Sequence, residues 1–101
     1  TQTPKLLASL KDSLLPSERE MAAEGLRQSD WKANPQVVAG LTEAAKTDPS
    51  PMVRVACIKT LGAMQANAEP VIQTLELLSV DQDVRIRDEA KAARAALATK
   101  R

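Results

Sequence analysis

The sequence predicts an all-α domain over residues 1–101: a short right-handed α-solenoid of about three stacked antiparallel helical hairpins. Three observations carry this expectation. The chain repeats itself at a period near 33 residues. Its prolines divide it into stretches that each read at helical period. It has one Trp and no Phe or Tyr, so its core must be built from Leu, Val, Ile, Met and Ala, which suit close-packed helices.

The repeat is read from two stretches. Asp48-Pro49-Ser50-Pro51-Met52-Val53-Arg54 opens one, and Asp81-Gln82-Asp83-Val84-Arg85-Ile86-Arg87 opens the other. Arg54 and Arg87 lie 33 positions apart, and the same offset maps Val53 onto Ile86 and Cys57 onto Ala90. A fainter copy lies upstream, where Arg19 precedes Arg54 by 35 positions and Leu26 precedes Leu61 by 35. A supersecondary unit of this size cannot bury its apolar face alone and must stack on its neighbours.

The elements follow in order. Proline is tolerated in the first turn of a helix and breaks its interior, so Pro4, Pro16, Pro35, Pro51 and Pro70 mark starts. The first helix is expected over about 4–14, with Leu6, Leu7, Leu10 and Leu14 as its apolar stripe and Lys5, Ser9 and Asp12 facing away. The second is expected over about 17–28, with Ser17 as N-cap, Glu20 completing a capping box, and Met21, Ala22, Gly25 and Leu26 inward. A connector containing Trp31 leads to the third, over about 35–46, with Val37, Val38, Leu41, Ala44 and Ala45 inward. The fourth, about 51–65, is apolar nearly all round, which implies burial on several sides. The fifth, about 69–79, turns Val71, Ile72, Leu75 and Leu78 inward. The sixth, about 83–99, places Ile86, Ala90, Ala93 and Leu97 on one stripe.

Composition bounds the function. With 14 basic and 13 acidic residues the formal net charge is +1, which gives no strong pull toward nucleic acid or an anionic membrane. No apolar run approaches the roughly 20 residues that cross a bilayer. A chain without His lacks the usual general base and zinc ligand, and its single Cys57 makes neither a disulfide nor a zinc site. The expectation is a non-enzyme without cofactor or metal. The start at Thr1 rather than Met, at what reads as a half-repeat, leads us to expect a fragment of a longer protein or a processed one.

Asp48, Pro51, Val53, Arg54, Ala56, Cys57 and Leu61 resemble the HEAT-repeat pattern of Asp, a short gap, Pro, then Val-Arg with small residues and Leu. The likeness is closest to the short HEAT-like repeats named after phycobilisome lyases. It recurs at Asp81, Asp83, Ile86, Arg87 and Ala90, with Arg94 where Leu61 maps, and is weakest at Arg19, Met21, Ala22 and Leu26. Tetratricopeptide repeats need aromatic positions that this chain cannot fill; armadillo repeats stay open as an alternative, though they usually need a third helix per unit and there is no room for one. The resemblance implies that the first, third and fifth helices line a concave surface. Their outward residues Ser9, Asp12, Gln36, Glu43, Gln73 and Glu76 are the candidate partner-binding set, suited to a neutral or basic peptide or protein. HEAT-like hydroxylases use His ligands, which this chain lacks, and HEAT-like DNA glycosylases line their groove with aromatic and basic residues, which one Trp and a net charge of +1 fit poorly.

Other residues are assigned structural roles. An Asp at a helix start accepts hydrogen bonds from free N–H groups, and an Arg one turn in can bridge to it or to its counterpart in the next repeat. Asp48, Arg54, Asp81, Asp83 and Arg87 are thus expected to form a ladder that sets the stacking register. Cys57 is expected to be a buried inert thiol, Trp31 to pack over helix ends, and Gly25, Gly40 and Gly62 to permit close helix approach. Asp81 and Asp83 lack the further ligands of a calcium loop. Arg85, Arg87, Lys91, Arg94, Lys100 and Arg101 make the sixth helix basic, partly offset by Asp88 and Glu89. The functional expectation is a non-catalytic protein-interaction or scaffolding module, either monomeric or weakly self-associating through terminal helices at Ala92, Ala95 and Ala96. The alternatives are a nucleic-acid-binding domain using Arg87, Lys91 and Arg94, and a lyase-like pigment chaperone.

Overall fold

In the computed structural model, which describes residues 2–98, proline sits in the first turn of five helices and the apolar spacing sets what each one buries. The helices are α1 (Thr3–Asp12), α2 (Pro16–Gly25), α3 (Pro35–Thr47), α4 (Pro51–Ala63), α5 (Glu69–Leu78) and α6 (Val84–Ala98). A 3-10 turn, Leu26–Gln28, extends α2. Among the described residues there is no strand. Thr99, Lys100 and Arg101 lie outside the described residues.

Consecutive helices pair as α1/α2, α3/α4 and α5/α6, and the pairs stack side by side. The result is two layers, α1-α3-α5 and α2-α4-α6. The principal extents of 30 × 30 × 16 Å match a slab two helices thick. The core lies between the layers and is centred on α4, which packs on α2, α3 and α6. Val53, Val55, Ala56, Cys57, Ile58 and Leu61 are all buried there, so this helix is covered on several sides as its all-round apolar pattern predicts. Each of the valine, isoleucine and leucine side chains contributes about 1.5–3 kcal/mol by leaving water. Small residues let the helices approach. A Cβ on Gly62 would stand 3.2 Å from Ala93 Cβ, and one on Gly40 would stand 2.9 Å from Leu7 Cδ2. The buried hydroxyl of Thr42 donates to the Val38 carbonyl at 2.9 Å, which removes the penalty for placing it in the core.

Three local expectations are corrected. Leu14 does not belong to the α1 stripe: α1 ends at Asp12, and Leu14 is 93% exposed in the connector. Pro16 explains this, because it disfavours helical geometry at the residue before it and Leu15 is extended. Ser17 and Glu20 form no capping box, since α2 begins at Pro16 with Leu15 as its N-cap and no side-chain cap bond. Met21 faces solvent at 69% exposure, while Ala22, Ala23 and Leu26 carry the buried side.

Candidate functional site

The turns between α1 and α2, α3 and α4, and α5 and α6 share one local device. In each, one short polar side chain accepts the backbone N–H two positions on: Ser50 N–H to Asp48 Oδ1 at 2.9 Å, Asp83 N–H to Asp81 Oδ1 at 2.8 Å, and Leu15 N–H to Ser13 Oγ at 3.3 Å. Short polar side chains form this turn readily. Ser13 is therefore the first repeat's counterpart of Asp48, a match hidden in the sequence by the change of residue type.

An arginine stands six positions after each of these residues, and the first two, Arg19 and Arg54, link repeats. Arg19 donates through Nε to Asp48 Oδ2 at 2.9 Å and through Nη2 to Asp48 Oδ1 at 3.1 Å, and through Nη1 to the Ser13 carbonyl at 2.9 Å. Arg54 donates through Nη2 to Asp81 Oδ2 at 3.1 Å and through Nε to the Ala45 carbonyl at 2.8 Å. Arg19 and Arg54 thus each hold the end of the preceding helix and the aspartate of the following repeat. Asp48 pairs with Arg19 rather than with Arg54. Asp83 stands apart, bonded to Arg85 Nε and Nη2 at 3.2 and 2.9 Å, which with the Arg85 N–H pulls its carboxyl down to about 2. Among the described residues Arg87 has one ion-pair contact, its neighbour Asp88 at 3.9 Å. The Asp48 bond and its charge raise the already high pKa of Arg19. Burial, and secondarily the Asp48 charge, pushes the Cys57 thiol up to about 12, so it stays a protonated, unreactive group.

The α1-α3-α5 layer carries two clefts. The first, of about 550 Å³, lies between α1 and α3 over Leu7, Leu10, Gly40 and Ala44, with Asp12, Gln36 and Glu43 at its rim. The second, of about 610 Å³, lies between α3 and α5 over Trp31, Pro35, Val38, Ala39, Ala68 and Pro70. Glu43 lines both. Trp31 is half-buried against the core and carries Lys32 over its ring, 5.7 Å from the centroid.

The six candidate partner-binding residues separate on this layer. Asp12, Gln36 and Glu43 gather around the first cleft. Ser9 is half-buried on α1 and lines neither cleft. Gln73 donates to Glu69 at 3.3 Å, and Glu76 accepts from Arg94 at 3.3 Å; both are exposed on α5 and line neither of these clefts. The cleft floors were not among the candidates. Leu7 and Leu10 read as core, and Gly40 was the one signal, since a glycine in a helix marks close approach. Among the described residues no group of three or more His, Cys, Asp or Glu could hold a metal, and no helix is long and apolar enough to cross a membrane.

A family model described as HEAT repeats matches residues 3–98. It describes HEAT repeats at large and does not single out the phycobilisome-lyase type. No curated protein and no solved structure gives a significant match.

Proposed function

Because this chain belongs to the HEAT-repeat family, whose repeats commonly mediate contacts between proteins, we propose that it is a non-catalytic interaction module that binds a protein or peptide on its α1-α3-α5 face. The observation that carries the reading is the pair of open apolar clefts on that face, meeting at the exposed carboxylate of Glu43. Apolar floors with a few polar groups at the rim suit side-chain recognition. The opposite layer offers a smaller cleft of about 360 Å³, bordered by Glu24, Arg27 and Lys59.

The nucleic-acid alternative rests on the basic side chains of α6, and three of these are engaged by carboxylates: Arg85 by Asp83, Arg87 by Asp88 and Arg94 by Glu76. A face neutralised in this way releases few counterions and binds a phosphate backbone weakly.

A photo-crosslinking side chain at Ala39 on the α1-α3-α5 face, compared with one at Lys59 on the opposite layer, tests the reading in extract of the source cells. Protein adducts formed from position 39 and not from position 59 are expected. Equal adducts from both, or none from position 39, would overturn it.

A further inference from the structure

We propose that this face takes an extended peptide that crosses α3 over Ala39 and Gly40, seats one apolar side chain in each cleft, and sets a Lys or Arg against Glu43. This deepens the interaction reading above and rests on it. Three observations lead there. First, the clefts lie on opposite sides of α3, and Glu43 is common to both, so one ligand can occupy the two only by crossing that helix. Second, the crossing has a low point. Ala39 and Gly40 present a methyl and a hydrogen, while Gln36 and Glu43 stand one turn to either side. Third, the charge at the crossing is uncompensated. Among the described residues Glu43 forms no ion pair, and Thr47 Oγ1 at 3.4 Å is its one side-chain hydrogen-bond partner. Of the cations bordering the clefts, Arg19 is held by Asp48 and Lys32 lies over Trp31, while Lys11 sits on the α1 side.

Spacing narrows the ligand. Grooves on either side of one helix are separated by about 8–10 Å, the usual distance between packed helices. A polyproline-type strand advances about 3.1 Å per residue with three residues per turn, so side chains three apart share a face and span about 9 Å. The ligand class is therefore a peptide with apolar residues three positions apart and a basic residue between or beside them.

The test is selection of a random dodecapeptide library on phage against the full chain, followed by anisotropy titration of a fluorescein-labelled synthetic copy of the enriched sequence. Three variants are titrated in parallel: Glu43→Gln, Glu43→Lys and Ala39→Trp. All three change exposed positions, and circular dichroism checks that each is folded. The expected result is enrichment of the basic, doubly apolar pattern and a loss of about tenfold or more with Glu43→Gln, the scale of one charge-assisted hydrogen bond. Ala39→Trp is expected to abolish binding, and Glu43→Lys to select acidic peptides instead. Peptides lost with Ala39→Trp but unmoved by Glu43→Gln would overturn this inference and leave the binding face standing. No enrichment, or equal binding to all variants, would overturn both.

Discussion

Arg19 and Asp48 meet across a repeat boundary as a two-pronged ion pair, Nε to Oδ2 at 2.9 Å and Nη2 to Oδ1 at 3.1 Å, with side chains only 11% and 6% exposed. Arg54 and Asp81 repeat the link one unit on, at 18% and 23% exposure. A forked guanidinium on a carboxylate, as at Arg19–Asp48, fixes orientation as well as distance, and we propose that these two pairs help set the register in which the hairpins stack.

The first prediction concerns that register. Asp48→Asn keeps an oxygen for the Ser50 N–H and removes the charge facing Arg19. It is expected to cost about 2 kcal/mol, the scale of hydrogen bonds to a charged group, read by urea denaturation. Arg87→Met removes the third arginine of the series, whose ion-pair contact among the described residues is Asp88 at 3.9 Å. It is expected to change stability by less than about 0.5 kcal/mol. Equal costs for the two would mean that the pairs do not hold the stack.

The second concerns the end of α4. Gln65 has φ of 58°, the left-handed region, while Ala66 N–H bonds to the Leu61 carbonyl and Gln65 N–H to the Gly62 carbonyl. This is the Schellman closure, in which glycine avoids the Cβ clash. Gln65→Gly is expected to stabilise the chain by about 1 kcal/mol, and Gln65→Val to destabilise it by a similar amount or more. Thermal melting of both variants measures the difference, and a loss on Gln65→Gly would count against strain at this residue.

The third concerns acid. The Arg85 guanidinium bonds the Asp83 carboxylate and pulls its pKa from the ordinary 3.8 down to about 2. A depressed carboxyl pKa adds stability that is complete above the ordinary value and is lost as pH falls through the folded one. Melting temperatures of wild type and Asp83→Asn should therefore differ above about pH 4 and converge as pH falls toward about 2. Parallel profiles over that window would show that the Asp83–Arg85 pair contributes nothing to stability.

The fourth uses Cys57. Its side chain is wholly buried and its pKa is pushed up to about 12, so a thiol reagent at mildly alkaline pH should leave the folded chain unmodified. Modification should proceed at the rate at which α4 is exposed, and become immediate in denaturant. Rapid stoichiometric labelling of the native protein would contradict the packing around α4.

Much of the fold was legible because its signals are local. Pro4, Pro16, Pro35, Pro51 and Pro70 each sit in the first turn of a helix, as their backbone chemistry requires. The all-round apolar pattern of α4 announced a helix with neighbours on several sides. The failures were also local. Met21 sits where helical spacing allows either side of α2, and Ala22 and Ala23 beside it took the core. Leu14 has the right helical spacing from Leu10, but the constraint that Pro16 places on Leu15 ends the helix first.

The candidate site was half legible. Asp12, Gln36 and Glu43 could be placed on one face by periodicity and family resemblance. That Glu43 borders two clefts could not, because a cleft is the gap between helices brought together from distant parts of the chain. By itself the sequence determined the helices, their order and their repeat, since turn chemistry and apolar period act within a few residues. Only the tertiary structure decided which arginine meets which aspartate and where α3 leaves room for a ligand. Those depend on the distance and rotation between stacked hairpins, set jointly by small residues such as Gly40 and Gly62 and the side chains they admit.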